Sequence, residues 1–318
     1  MRIVVLGATG TIGRATVRAF VARGDHVVCI VRDKQRARKL LLGVELREAD
    51  VTQPASLARD GLRGERFDAL VSCLASRTGV ARDAWAIDHH AHMNALQAAQ
   101  EAGVGQIVLL SAICVQKPLL PFQKAKLAFE AALIASGMTY SIVRPTAFFK
   151  SLSGQVARVK SGRPYIYFGN GQLTACKPIS DDDLGAYLAD CIRDESRWNR
   201  ILPIGGPGPA LTPRQHGELI FAALGGAPKF QTMPLGMLKF IRGVLVLLGL
   251  FSRKMADKAE LAAIGLYYAS ESMLVLDPET GRYDDAATPS FGTQTLAAHY
   301  AQMIAGDVAD DRGDHAVF

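Results

Sequence analysis

Gly7, Gly10 and Gly13 recur at every third position in "VVLGATGTIGRATV". The pattern follows a β-branched run and opens a helical one. Glycine lets the chain turn tightly and approach an anion closely, while a helix start offers unbonded N–H groups and positive dipole density. A structural turn could use the same glycines. The strand–turn–helix setting points instead to a dinucleotide pyrophosphate held by Gly7, Thr9, Gly10, Thr11, Ile12 and Gly13. The second apolar run, "HVVCIVR", ends at Arg32. An acid there would select ribose hydroxyls, whereas a guanidinium fork accommodates a 2′-phosphate. The expected cofactor is therefore NADPH rather than NADH. Lys34, Arg36 and Arg38 read mostly as a solvated basic helix start. Asp50 and Val51 close a third short strand, where adenine would rest. Cys73, Leu74 and Ala75 in "SCLAS" end the next strand on the nicotinamide side.

A second cluster lies in "SAICVQKPLLPFQKAKLAFEAAL". Helical spacing puts Phe122, Lys126, Phe129 and Leu133 on one face, with Lys124 turned elsewhere, to solvent. A lysine on an otherwise apolar face calls for a partner; snorkelling at the helix edge is the plainer account. Ser111 ends the strand "QIVLLSA", placed either to touch a ligand or to cap the strand. Arg144-Pro145-Thr146 follow the strand "YSIV". Proline drives the chain out of a sheet, and the loop that follows is expected to cover the nicotinamide, with Pro145 and Thr146 mainly structural. His89, His90 and His92 in "IDHHAHMNAL" read as surface or packing histidines of a helix, and no metal site is expected.

These residues need a frame. "RIVVLG", "HVVCIVR", "ALVSCLA" and "QIVLLSA" are short continuous apolar runs, suited to strands buried on both faces. Helical patterns such as "IGRATVRAFVARG", stopped by Gly24, lie between them. This βαβ rhythm predicts an α/β fold: a Rossmann-type, doubly wound parallel sheet over residues 1–150. From about Pro145 the rhythm changes. The stretch from "RPTAFF" to "CKPIS" reads as loops and short strands, and "SDDDLGAYLADCIRD" as a helix capped by Ser180 with acids in its first turn. "NRILPIGG" looks like one more strand of the sheet. Residues 151–305 are thus expected to form a smaller, interleaved substrate lobe, and 306–318 a frayed acidic tail.

"PLGMLKFIRGVLVLLGLFSRK" stands apart. Its uninterrupted apolar part, 243–251, is far shorter than the roughly twenty residues of a spanning helix. Residues 235–251, with basic residues at both ends, suit a helix lying on a membrane surface, the wall of a greasy pocket, or a buried core helix.

Across its 318 residues the chain is 49% hydrophobic, enough for a sizeable core, and its formal charge of +6 is spread without a basic block. Nucleic acid is not implied. The five cysteines contain no C-x-x-C pair; reduced thiols in a cytoplasmic protein are expected. "MRIVVLG" is too short for a signal-peptide core.

The glycine pattern, Asp50-Val51, the strand end at Ser111, Phe122-x-x-x-Lys126 and Arg144-Pro145-Thr146 together resemble the atypical short-chain dehydrogenase/reductases. Within that group the 111–130 block is similar to the NADPH-dependent divinyl (proto)chlorophyllide 8-vinyl reductases. The resemblance is strongest over residues 1–150 and continues through "GNGQLTACKPISDDDL". It implies a tetrapyrrole substrate whose C8 vinyl group becomes ethyl in (bacterio)chlorophyll synthesis, at the periphery of a photosynthetic membrane. It implies that Lys126 bonds the nicotinamide ribose, with Ser111 and Phe122 beside the reacting groups. The family's usual Tyr-x-x-x-Lys carries Phe122 in place of its tyrosine. Carbonyl reduction needs an acid at the oxygen, which phenylalanine cannot supply. Hydride addition to a conjugated vinyl group spreads charge into the ring and needs no phenol. The proton donor stays open among Tyr165, Tyr167, Lys126 and water. Loss of tyrosine also suits a catalytically silent NADP(H)-binding regulator or assembly factor, or a reductase of another conjugated alkene.

Overall fold

In the computed structural model, which describes residues 1–308, the apolar runs become strands. They are β1 (Arg2–Leu6), β2 (His26–Val31), β3 (Glu45–Glu48), β4 (Ala69–Ser72), β5 (Gln106–Leu110), β6 (Thr139–Pro145), β7 (Tyr165–Phe168), β8 (Arg200–Ile204) and β9 (Phe230–Met233). The chain divides into two compact units. The first comprises Met1–Arg77, Ala81–Pro145 and Asp181–Pro203; the second comprises Thr78–Val80, Thr146–Ser180 and the chain from Ile204.

The first unit is built on a seven-stranded sheet in the order β3-β2-β1-β4-β5-β6-β8. Strands β1 to β6 pair in parallel. Val4, Leu6, Val28, Ile30, Leu70, Ile107 and Ile142 pack with Ala95, Ala99, Phe129 and Leu133 from helices His92–Glu101 and Pro121–Ala135. Burying one such Leu or Ile fully contributes about 1.5–3 kcal/mol. The chain winds outward from β1 through β2 to β3, then returns on the other side at β4. That reversal opens a crevice at the carboxyl ends of β1 and β4, the place where open α/β sheets bind ligands.

The helix expected around "AWAIDHHAHMNAL" has a π-helical stretch, Trp85–Ala91, before the regular turns of His92–Glu101. Such wide turns are frequent at functional sites.

In the second unit β7 pairs in parallel with β9. The stretch read from sequence as loops and short strands contains, besides β7, three short helical pieces: Phe149–Leu152, Ser153–Gln155 and Val156–Lys160. Phe149, Val156 and Val159 recur on one face and are buried with Tyr165, Ile220, Phe221 and Tyr300, so tertiary packing outweighs the loop-like composition.

Helix Leu235–Gly249 packs against helix Arg253–Ser270, yet none of its residues is buried. Phe240 is 72% exposed and Leu247 64%, and Phe251 just beyond is 90% exposed. The core-helix account of 235–251 is therefore wrong: hydrophobicity alone does not reveal whether a covering layer exists. Among the described residues no helix is long and apolar enough to cross a membrane. Most of the expected frayed tail, from residue 309 on, lies outside the described residues.

Candidate active site

The glycine loop is closed by contacts that admit no side chain. Gly7 has φ +71°, and a Cβ there would lie 2.6 Å from the Cys73 carbonyl and 2.8 Å from the Leu74 nitrogen. A Cβ on Gly13 would lie 2.2 Å from the Gly7 oxygen. The Gly10 N–H donates to the Gly7 carbonyl at 3.1 Å, and Gly10 begins helix Thr11–Ala22 without any side-chain cap. The turn thus presents its first-turn amides at the end of β1, a cradle for an anion. Thr9 is exposed and Thr11 half-buried, whereas Ile12 turns into the core. Cys73 and Leu74 lie against Gly7, and Ala75 beyond them is exposed. Burial pushes the Cys73 thiol up to about 12, which removes it as a nucleophile.

Arg32 follows β2 and is exposed. Asp33, next in the chain, is occupied as the cap of helix Lys34–Arg38, accepting the Arg36 N–H at 2.9 Å. Val31 pairs with Glu48 in the sheet, so Arg32 and Asp50 belong to the ends of adjacent strands. Asp50 folds its carboxylate back onto the Thr52 N–H at 2.9 Å, an Asx turn. Val51 is buried, and its carbonyl accepts from Asn94 Nδ2 at 3.1 Å.

Past β4 and β5 lies a polar network in an apolar setting. Lys126 Nζ donates to Asp88 Oδ1 at 2.9 Å, and the same oxygen accepts the Ser76 N–H at 3.2 Å. Asp88 is 1% exposed. Breaking a buried ion pair from one side costs about 3–5 kcal/mol, so this contact fixes Lys126. His92 Nδ1 donates to the Ile87 carbonyl at 2.9 Å, which leaves Nε2 to accept from the Ser72 hydroxyl at 2.8 Å. Burial, then the nearby Lys126 charge, holds His92 down to about 4, so the ring is neutral. Phe129 lies against it with ring centroids 4.7 Å apart. Ser111 donates to Glu130, whose buried carboxylate also pairs with Arg144. Phe122 is buried at the start of the same helix, and Lys124 is exposed.

Apart from Pro145, the remaining candidates belong to the second unit. The Thr146 hydroxyl donates to the Lys177 carbonyl and its N–H to the Ile204 carbonyl at 2.9 Å, a structural tie. Pro145 ends β6. Tyr165 and Tyr167 line a cavity of about 320 Å³ within this unit. Burial pushes the Tyr165 phenol up, so it holds its proton more tightly. The structure therefore groups the glycine loop with Cys73 and Leu74, Lys126 with Asp88, and Ser111 with Glu130, while Tyr165 and Tyr167 lie in the other unit. Asp88 and Glu130 were not singled out from sequence, and His92, read there as a surface or packing histidine, is a buried partner of Ser72. The one available signal was the "KLAFE" spacing, which puts Glu130 one turn after Lys126. Among the described residues no group of His, Cys, Asp or Glu is arranged to hold a metal ion.

A family profile for NAD(P)H-binding proteins matches residues 7–195, more than half the chain. A chloroplastic divinyl chlorophyllide a 8-vinyl-reductase of Cucumis sativus is 48% identical over 99% of this chain and 79% of its own. Its Arabidopsis thaliana counterpart is 48% identical over 96% and 77%. Among solved structures, an NADPH-dependent quinone oxidoreductase from Escherichia coli, complexed with NADPH, superposes with a TM-score of 0.71. That match covers 95% of this chain and 99% of the other at 21% identity, which speaks for the fold alone. With its glycine cradle at the switch point of a parallel sheet and identity running nearly end to end, the chain belongs to the divinyl chlorophyllide a 8-vinyl-reductase family of NAD(P)H-binding proteins.

Proposed function

We propose that this chain reduces the C8 vinyl group of a divinyl chlorophyllide to ethyl with NADPH. The observation that carries the reading is 48% identity, nearly end to end, with reductases named for that reaction. The residues present fit the cofactor. Gly7 and Gly13 leave the space a pyrophosphate needs, and exposed Arg32 suits a 2′-phosphate while Asp33 is committed to its cap. Bound NADPH supplies the hydride.

The other roles fall to the chain itself. Asp88 holds the Lys126 ammonium, leaving it further donors to bond a ribose and orient the cofactor. Neutral His92 accepts from Ser72 without adding a second positive charge beside Lys126. Glu130, bound to Ser111 and Arg144, fixes the end of β5 against β6. Phe122 stands where an alcohol-forming enzyme keeps a phenol, and keeps that position apolar. Charge arriving on a vinyl group disperses into the conjugated ring, so no oxyanion has to be stabilised there. Silent NADP(H) binding is the competing reading. Purified protein with divinyl chlorophyllide should consume NADPH and shift the Soret band; binding of NADPH without consumption would favour the silent reading.

Arg32→Asp is expected to weaken NADPH binding roughly tenfold to a hundredfold, the loss of a charge-assisted contact, while sparing NADH. Superimposable titrations of the parent with both nucleotides would contradict the assignment of Arg32.

The exposed segment 235–251 suits peripheral contact with an anionic bilayer. Lys239, Arg242, Arg253 and Lys254 accompany its apolar residues, with no acid from 235 to 256. Leu247→Glu should reduce sedimentation with anionic vesicles and leave NADPH affinity unchanged. Unchanged sedimentation would remove the membrane role, and loss of NADPH binding together with folding would show that the helix serves stability.

A further inference from the structure

The second unit holds a cavity whose chemistry none of the roles above uses. Tyr165, Tyr167, Phe168, Leu173 and Met273 give it aromatic and apolar walls, and His216 lines it as well. His216 is rigidly placed. Thr212 and Gln215 form a reciprocal capping box at the start of helix Pro213–Leu224, and the His216 N–H makes an early bond of that helix, to the Thr212 carbonyl at 3.0 Å. The facing Cys176 is fixed by two backbone bonds with Leu211, at 3.1 and 2.7 Å.

The imidazole is buried, yet among the described residues its hydrogen-bond neighbour is the Cys176 sulfur, 3.8 Å from Nε2. A thiol is a weak partner, and buried polar groups are rarely left so poorly satisfied. A thiol–imidazole nucleophile does not explain the pair. Burial pushes Cys176 up to about 12 and His216 down to about 4, so both are neutral, whereas attack needs a thiolate. Two other polar groups of the lining are committed. Gln155 bonds the Ile166 carbonyl and N–H, both at 2.7 Å, and Glu271 accepts from the Tyr283 hydroxyl at 2.8 Å. His216 Nε2 has only that weak contact with the Cys176 sulfur among its hydrogen bonds to described residues, and a neutral imidazole is a common metal ligand.

We propose that this cavity seats the flat conjugated ring of the substrate and that His216 is the axial ligand to the magnesium at the ring's centre. The inference rests on the vinyl-reductase reading, which supplies a magnesium-bearing ring. The ring nitrogens already hold the ion, so the protein has only an axial position to fill. Aromatic walls receive the ring faces and edges, and the weak sulfur–imidazole contact with Cys176 is given up when the imidazole turns to the metal.

The test is equilibrium binding of two pigments to the full chain with NADP⁺ present: divinyl chlorophyllide and its magnesium-free counterpart. The parent should bind the magnesium form roughly tenfold more tightly, the order of effect seen when a metal's protein partner is removed. His216→Phe should abolish that gap by weakening the magnesium form alone, and should change the absorption of the bound magnesium pigment as the axial ligand is lost. Equal affinities in the parent, or a gap that survives His216→Phe, would overturn the proposal. If His216→Phe fails to fold by circular dichroism, His216→Leu, which likewise offers the metal no ligand, is read by the same two criteria. Binding is measured without turnover, so a parent that shows the gap but reduces neither pigment would count against the vinyl-reductase reading and not against this one.

Discussion

Lys126→Ala is expected to lower vinyl reduction on the order of a hundredfold, the cost of misplacing a hydride by about an ångström. Lys126 is not a loose surface charge. Its ammonium is held at 2.9 Å by the buried Asp88 carboxylate, at the end of the sheet where the cofactor cradle opens. Removing it also strands the Asp88 charge, so NADPH dissociation constants and a folding check belong beside the rates. Phe122→Leu should keep measurable turnover, because it removes packing and no proton path. Phe122→Tyr should not raise the rate, since an added hydroxyl would face charge already dispersed over the ring. Turnover of Lys126→Ala equal to the parent at saturating NADPH would show that Lys126 does not position the cofactor.

Gly13→Val is expected to weaken NADPH binding by at least about a hundredfold, corresponding to roughly 3 kcal/mol or two charge-assisted hydrogen bonds. The added Cβ would lie 2.2 Å from the Gly7 oxygen, and 2.9 Å from the Ala8 Cα, so backbone must move. No flexible side chain can yield instead. The displaced segment carries the first-turn amides of helix Thr11–Ala22, the groups offered to a pyrophosphate. The measurement is NADPH titration, with circular dichroism to show that the sheet survives. Affinity within a few-fold of the parent, in a folded variant, would mean that the pyrophosphate does not rest on this loop.

Much of this architecture could be read from local pattern. The runs "RIVVL", "HVVCIV" and "QIVLL" are fully or nearly fully buried strands because a parallel sheet covered on both faces demands apolar residues at every position. Gly7 and Gly13 were legible because their constraint is local. The partners of Lys126 and Ser111 were not. Lys126 meets Asp88 across 38 residues of sequence, and Ser111 meets Glu130 across 19. Those contacts depend on where separate helices settle on the sheet, which no local spacing encodes. Asp33, beside Arg32, is an acid the sequence reading did not weigh, and the structure spends its carboxylate on a helix cap. The short helices at 149–160 were hidden by glycines and basic residues, although Phe149, Val156 and Val159 mark a buried face. The exposure of 235–251 was illegible for a physical reason: the same apolar helix is stable against a core, a ligand or a lipid surface.

The most direct measurement is mass spectrometry of the pigment after incubation of divinyl chlorophyllide with this protein and NADPH deuterated at the transferred position. The proposed reaction predicts a product heavier by one deuterium and one hydrogen, with the label in the new ethyl group. Recovery of unlabelled divinyl pigment, with NADPH bound but not oxidised, would contradict it.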